Sequence, residues 1–135
     1  MPLFTWNNQY SVGVKSIDSQ HINLFNMMND LEVAMKSGKG QAVVGPLLHK
    51  LYDYTDSHFK AEERMMETAQ YVGLEQHRAK HVALTSKVKE LLDRVDKGGI
   101  SVNVELIFFM CDWLKSHIME HDKAYSPSLI ARGVQ

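Results

Sequence analysis

One cysteine, three prolines and no long apolar run set the outer limits of this 135-residue chain. Cys111 has no second cysteine to pair with, so no internal disulfide holds the fold. The longest apolar run, Leu106 to Cys111, is far short of the roughly 20 residues that cross a bilayer. The opening MPLFTWNNQY has neither a basic n-region nor an apolar h-region, so no signal peptide is read there. Lys+Arg is 15 and Asp+Glu is 16, a net charge of −1 without the basic surplus of a nucleic-acid binder. Hydrophobic residues at 44% exclude disorder, and the length is that of one domain able to support its own core. These absences point to a soluble, cytoplasmic protein that meets neither nucleic acid nor membrane.

The chain is instead rich in histidine, with seven, and in methionine, with eight. Turn chemistry falls at Ser37-Gly38-Lys39-Gly40, around Tyr71-Val72-Gly73, at Lys97-Gly98-Gly99 and at Ser126-Pro127-Ser128. Each intervening segment repeats at steps of three and four. The first carries Ile17, His21, Leu24, Met28, Leu31 and Met35, and the second Val44, Leu47, Leu51, Tyr54, His58, Glu62 and Met65. The third carries Leu74, His77, His81, Leu84, Val88, Leu91 and Val95, and the fourth Leu106, Met110, Trp113 and His117. Such steps align residues on one helix face. The pattern predicts an all-α, up-down-up-down four-helix bundle. Its helices fall at about 18–37, 41–66, 70–96 and 102–122, behind an N-terminal arm of about 1–16. Asp18 is expected to open the first helix and Ser101 or Asn103 the fourth, with glycines closing the first and third. The tail after Tyr125 is expected to be less ordered.

Five histidines and one glutamate interrupt stripes that should be purely apolar. A buried carboxylate is costly unless it is paired or binds a metal. His58/Glu62 and His77/His81 are i, i+4 pairs, each able to aim at one centre. His117 and Asp122 are i, i+5, about 140° apart on a regular helix, so they converge only if the helix widens or ends. Lys123 to Pro127 offers a place for that end. His21, alone on its helix, could be an ordinary core histidine, and His58/Glu62 an ordinary intrahelical pair; the combination across four helices favours metal. Five imidazoles and two carboxylates are enough for two metals. With both carboxylates and an oxo or hydroxo group bridging, the imidazoles divide three and two. One metal is then saturated and the other keeps an open position. The mixed N/O donors suit iron, while manganese, zinc and cobalt also fit. His49 falls on the far helix face and reads as surface, as does His121. Met28, Met35, Met65 and Met110 read as core, Phe109 and Trp113 as core or pocket wall, and Glu63, Glu105 and Asp112 as rim charges.

The chain resembles the hemerythrins, the single-domain bacterial ones most closely. The resemblance rests on Trp6…Tyr10-Ser-Val-Gly-Val, Ile17-Asp-Ser-Gln-His21, His58-Phe-Lys-Ala-Glu62-Glu63, His77-Arg-Ala-Lys-His81 and His117-Ile-Met-Glu-His-Asp122, from about Trp6 to Tyr125. It implies one domain over 1–135 with two non-haem irons under an oxo or hydroxo bridge. It also implies that His77, His81 and His117 hold the saturated iron, His21 and His58 the open one, and that Glu62 and Asp122 bridge. Dioxygen is then expected to bind end-on and reversibly at the open iron. Leu114 and Ile118 are expected to wall its pocket, with Leu24, Phe25 and Phe59 nearby; plain core packing is the other reading of all five. The expected function is oxygen carriage or storage, not enzymatic, by a monomer with an oxygen-consuming enzyme as recipient. An oxygen or redox sensor acting through a separate partner is the alternative, as is a di-iron redox or iron-handling enzyme. No Glu-x-x-His of the ferritin-like carboxylate enzymes occurs, and no His-Glu-x-x-His of zinc hydrolases.

Overall fold

The computed structural model describes residues 5–37, 41–97 and 104–133. A 3-10 turn at Asn8–Tyr10 precedes α1 (Lys15–Lys36), α2 (Gln41–Thr68), α3 (Leu74–Asp96) and α4 (Val104–His117). A π-helical turn over Ile118–Asp122 then leads without interruption into α5 (Lys123–Ala131). The last three pieces form one rod, so the molecule is an up-down-up-down four-helix bundle with no strand among the described residues. α1 packs on α2 and α4, and α2 on α3 and α5.

The expected stripes are the buried faces. From α1 they bring Ile17, Leu24, Met28 and Leu31, and from α2 Val44 and Leu51, while Leu48 and Met66, one residue along from the expected Leu47 and Met65, take the buried places and Leu47, Tyr54 and Met65 are half-buried. Met28 and Met110 are buried, and Met35 and Met65 lie half-buried against the core. The Cys111 thiol sits 3.5 Å from the Met28 sulfur, and burial pushes its pKa up to about 12, so it stays protonated.

Three boundaries differ from the sequence expectation. α1 begins at Lys15, so Asp18 lies inside its first turn and does not cap it. Its carboxylate reaches back to accept the Val12 N–H at 2.9 Å and the Ser11 hydroxyl at 2.5 Å, which ties the arm to the helix. The arm is further held by Trp6 and Tyr10 packed on Phe25, and by the Ser126 hydroxyl donating to the Val12 carbonyl. α3 begins at Leu74, four residues after the expected start, because α2 ends in a Schellman turn. There Tyr71 N–H donates to Met66 O at 2.9 Å and Gln70 N–H to Glu67 O at 3.0 Å, with Gln70 left-handed at φ 56°. The third difference is at the C-terminus. Residues after Tyr125 continue as helix to Ala131, and Tyr125 and Leu129 are both wholly buried. The expected caps Ser101 and Asn103, and the glycines at 38, 40, 98 and 99, lie outside the described residues.

Gly13 is where the arm meets α5. Its φ is +74°, and a Cβ there would come within 2.8 Å of the Ile130 side chain. Gly13→Ala should therefore destabilise the protein by about 1–2 kcal/mol, from the left-handed backbone alone. Urea unfolding midpoints of the two proteins check this, and an unchanged midpoint would show that the arm is not docked on α5.

Candidate metal centre

α1 supplies His21, α2 supplies His58 and Glu62, and α3 supplies His77 and His81. His117 is the last residue of α4 and Asp122 the last of the π turn. All seven side chains are buried in the middle of the bundle. The π turn resolves the i, i+5 problem: the Lys123 N–H reaches the carbonyl of Ile118, five residues back, and the wider ring brings Asp122 round to the face of His117. The helix widens there and does not end.

The ligand atoms fall into two groups, each within 4.8 Å: Glu62, His77, His81, His117 and Asp122 in one, and His21, His58, Glu62 and Asp122 in the other. The carboxylates belong to both. Glu62 turns Oε1 toward His21, at 3.2 Å, and His58, and turns Oε2 toward His77 and His81, at 3.5 and 3.8 Å. Asp122 turns Oδ2 to His21 at 3.1 Å and Oδ1 to His77 and His117 at 3.0 and 3.1 Å. Each carboxylate thus gives one oxygen to each group, as a bridging ligand does.

Hydrogen bonding fits this set to cations. His58 Nε2, His77 Nε2, Glu62 Oε2 and both Asp122 oxygens are buried without a well-aligned hydrogen bond, their nearest polar neighbours being the cluster's own histidines and carboxylates. Orphaned buried acceptors are costly unless something positive lies among them. His81 Nε2 and His117 Nε2 face each other at 3.1 Å, a spacing for two lone pairs converging on one ion. The outward nitrogens are fixed from behind. His58 Nδ1–H donates to Gln20 Oε1 at 2.5 Å, and His81 Nδ1–H to Glu63 Oε2 at 2.9 Å. Both bonds select the tautomer that leaves Nε2 free to ligate.

Charge is already divided among the side chains. Burial opposes the charged form of His21, but Asp122 and Glu62 overcome it and lift its pKa to about 9. His77 behaves alike, also at about 9. Burial drives His81 down to about 4, which Glu62 and Glu63 only partly offset. Burial also works against both carboxylates, yet the histidines around them hold Glu62 well below the carboxylate range and Asp122 below it as well.

Beside the cluster lies an apolar cavity of about 20 Å³, room for one small molecule. Leu24, Phe59 and Leu114 line it together with Met28, Val88 and Trp113. Phe25 and Ile118 are buried but do not line it; Phe25 belongs to the cluster with Trp6 and Tyr10. Phe59 stacks on His81 at 3.8 Å between ring centres, and Trp113 on His117 at 4.5 Å. His49 is at the surface, as expected, paired with Asp96. His121 is half-buried, its ring 5.4 Å from that of His117. Phe109 lies at the surface, 39% exposed, under the Lys87 ammonium. Glu63 is no rim charge: Arg78 holds it at 3.0 Å while it orients His81. The sequence reading missed Gln20 in the same role, and it missed Tyr125. A signal for Tyr125 existed, since it follows Asp122 by three residues and shares its face.

Fold and centre together define a class: a helical bundle built round a buried dinuclear site of five imidazoles and two shared carboxylates. The hemerythrin HHE cation binding domain family matches residues 12–129. The chain is 34% identical to the bacteriohemerythrin of Stenotrophomonas maltophilia (strain R551-3), over 97% of its own length and 84% of that protein's. It is 34% identical to the bacteriohemerythrin of Methylococcus capsulatus (strain ATCC 33009 / NCIMB 11132 / Bath), over 97% of its length and all of that protein's. The crystal structure of wild-type hemerythrin superposes with a TM-score of 0.88 at 33% identity, covering 94% of this chain and 98% of that one. This chain belongs to the hemerythrin family. Its cofactor is a pair of non-haem irons with an oxo or hydroxo bridge, and its function is to bind dioxygen there. No helix among the described residues is long and apolar enough to cross a membrane.

Proposed function

We propose that the chain is a reversible dioxygen carrier or store, working as a cytoplasmic monomer that hands oxygen to a separate oxygen-consuming enzyme and catalyses no reaction itself. In this reading one domain spans residues 1–135. His77, His81 and His117 hold one iron, His21 and His58 hold the other, and Glu62 and Asp122 bridge them. The observation that carries the assignment is the division of each carboxylate's two oxygens between a three-histidine and a two-histidine group. Two imidazoles leave their metal with fewer protein donors than three, so the open position belongs on the His21/His58 side.

The iron pair supplies, when bound, the electrons that a bound dioxygen borrows and returns. The protein's part is to hold, orient and keep dry. Gln20 and Glu63 fix the rings of His58 and His81. Leu24, Phe59 and Leu114 exclude water from the cavity, which slows loss of a reduced oxygen species to solvent. Five neutral donors against two anionic ones stabilise high-valent iron less than a carboxylate-rich set does, which favours binding over oxidation of a substrate.

The test is iron per chain together with the optical spectrum through reduction, oxygenation and argon purging. Two irons and an oxygen-dependent absorption band that vanishes on purging are expected. Irreversible oxidation on first contact with oxygen would favour a redox sensor or an enzyme, and bound zinc would overturn the assignment of iron. Leu114→Ala is expected to enlarge the cavity, cost about 2–5 kcal/mol of stability and speed autoxidation severalfold. An unchanged autoxidation rate would remove Leu114 from the water barrier.

A further inference from the structure

Tyr125 is the one wholly buried aromatic side chain at the metal centre that the reading above leaves without a task. It is 0% exposed, and its ring lies 5.5 Å from that of His77 and 6.5 Å from that of Tyr71. Its hydroxyl is buried with no hydrogen-bond partner, and Glu62 Oε2 lies 3.5 Å from Nε2 of the same His77 that the phenol ring packs on. A buried phenol that donates to nothing is costly, and a phenylalanine in its place would pack as well. Glu62 Oε2, an acceptor, is orphaned in the same dry volume. An unused donor and a carboxylate oxygen without a well-aligned hydrogen bond therefore lie against one histidine ring.

We propose that Tyr125 is a positioning residue whose hydroxyl donates a hydrogen bond to the Glu62 carboxylate, fixing the bridging ligand on the side away from the oxygen cavity. The inference rests on Glu62 being the bridge. Two features of the chain serve it. The position three residues after Asp122 puts Tyr125 one turn beyond that ligand, so the π turn that delivers Asp122 delivers Tyr125 too. A tyrosine hydroxyl, with an ordinary pKa of about 10, keeps its proton at neutral pH and so remains a donor. Such a bond withdraws negative charge from the carboxylate and restrains its rotation. Both effects act on how firmly it bridges, with no contact between tyrosine and dioxygen.

The experiment compares wild type, Tyr125→Phe, and protein with 3,5-difluorotyrosine at position 125, a stronger donor of the same shape. In metal-free protein with carbon-13 glutamate, the infrared carboxylate band of Glu62, identified by its loss in Glu62→Gln, should shift in Tyr125→Phe. It should shift the opposite way with difluorotyrosine. In iron-loaded protein, transfer of iron to a strong chelator should be about tenfold faster in Tyr125→Phe, the scale of one hydrogen bond to a charged group. It should be slower than wild type with difluorotyrosine. An unmoved band and equal transfer rates in all three would overturn the proposal and leave Tyr125 as packing. The infrared comparison needs no iron, so it decides the contact even if wild type fails to hold two irons, a failure that would fall on the di-iron assignment instead.

Discussion

Glu62→Ala should empty the centre. Among the described residues Glu62 alone gives one oxygen to His21 and His58 and the other to His77 and His81, so its loss weakens both positions at once. Removing even a supporting residue behind a metal ligand typically costs 10–100-fold in affinity. Loss of a shared anionic ligand should cost more, leaving little iron after dialysis against a weak chelator. Glu62→Gln keeps the shape without the charge and separates loss of the ligand from misfolding. Its helical circular dichroism should match wild type while its iron content falls. His49→Ala, at the surface pair with Asp96, should keep its iron. Full iron occupancy in Glu62→Ala would mean that the carboxylate does not bridge.

The metal-free protein should be most stable near pH 6.5 and should lose stability toward alkaline pH, opposite to the behaviour of its iron affinity. The sign follows from three histidines. Between pH 4 and 6.5 the unfolded chain carries protons on all three, while the folded chain carries them on His21 and His77 only, so stability rises with pH. Between pH 6.5 and 9 the unfolded chain has released all three and the folded chain still holds two, so stability falls, and twice as steeply. At about 1.4 kcal/mol per proton per pH unit, the alkaline loss amounts to several kcal/mol. The stability contributed by the depressed carboxylates Glu62 and Asp122 is complete above their ordinary values of 4.5 and 3.8 and is lost progressively as the pH falls below them. Iron must displace the protons of His21 and His77 to be bound by them, so loading at pH 7 should release about two protons from the histidines, with at least one more from the water that becomes the bridge, and remove the alkaline decline. Urea unfolding of metal-free protein across this range, with calorimetry of iron loading in two buffers, checks both. A flat profile from pH 6.5 to 9 would mean that the two histidines are not held as cations by the carboxylates.

What the sequence disclosed, and what it hid, follows the range of the forces involved. The stripe of three and four steps is local, so helix faces were legible, and with them all seven cluster residues. The i, i+5 spacing of His117 and Asp122 even posed the right question, whether the helix widens or stops. The answer lay in the tail, where Leu129 and Tyr125 bury against the bundle and hold the chain helical beyond Ser126-Pro127. Gln20 and Glu63 were hidden for another reason. Each does its work across a helix pair, Gln20 on His58 and Glu63 on His81, and nothing in the period of its own helix marks it. Asp18 misled because an acidic residue in a first turn reads as a cap until the arm it binds is known.

The π turn also sets a limit on how this chain can vary. It amounts to one residue more than a regular helix needs between His117 and Asp122. Deleting one residue from 118–121 would restore the ordinary pitch and keep the aspartate on the face of His117, now four residues on, whereas adding one residue beyond what the turn absorbs would rotate everything downstream by about 100°. Asp122, Tyr125 and Leu129 would leave the interior together, and the arm would lose the Ser126 hydroxyl and the Ile130 surface that Gly13 fits. A substitution at Met119 or Glu120 on the outer face thus changes little and one residue fewer is absorbed by the turn, whereas one residue more desynchronises the ligand set and the terminus in a single step.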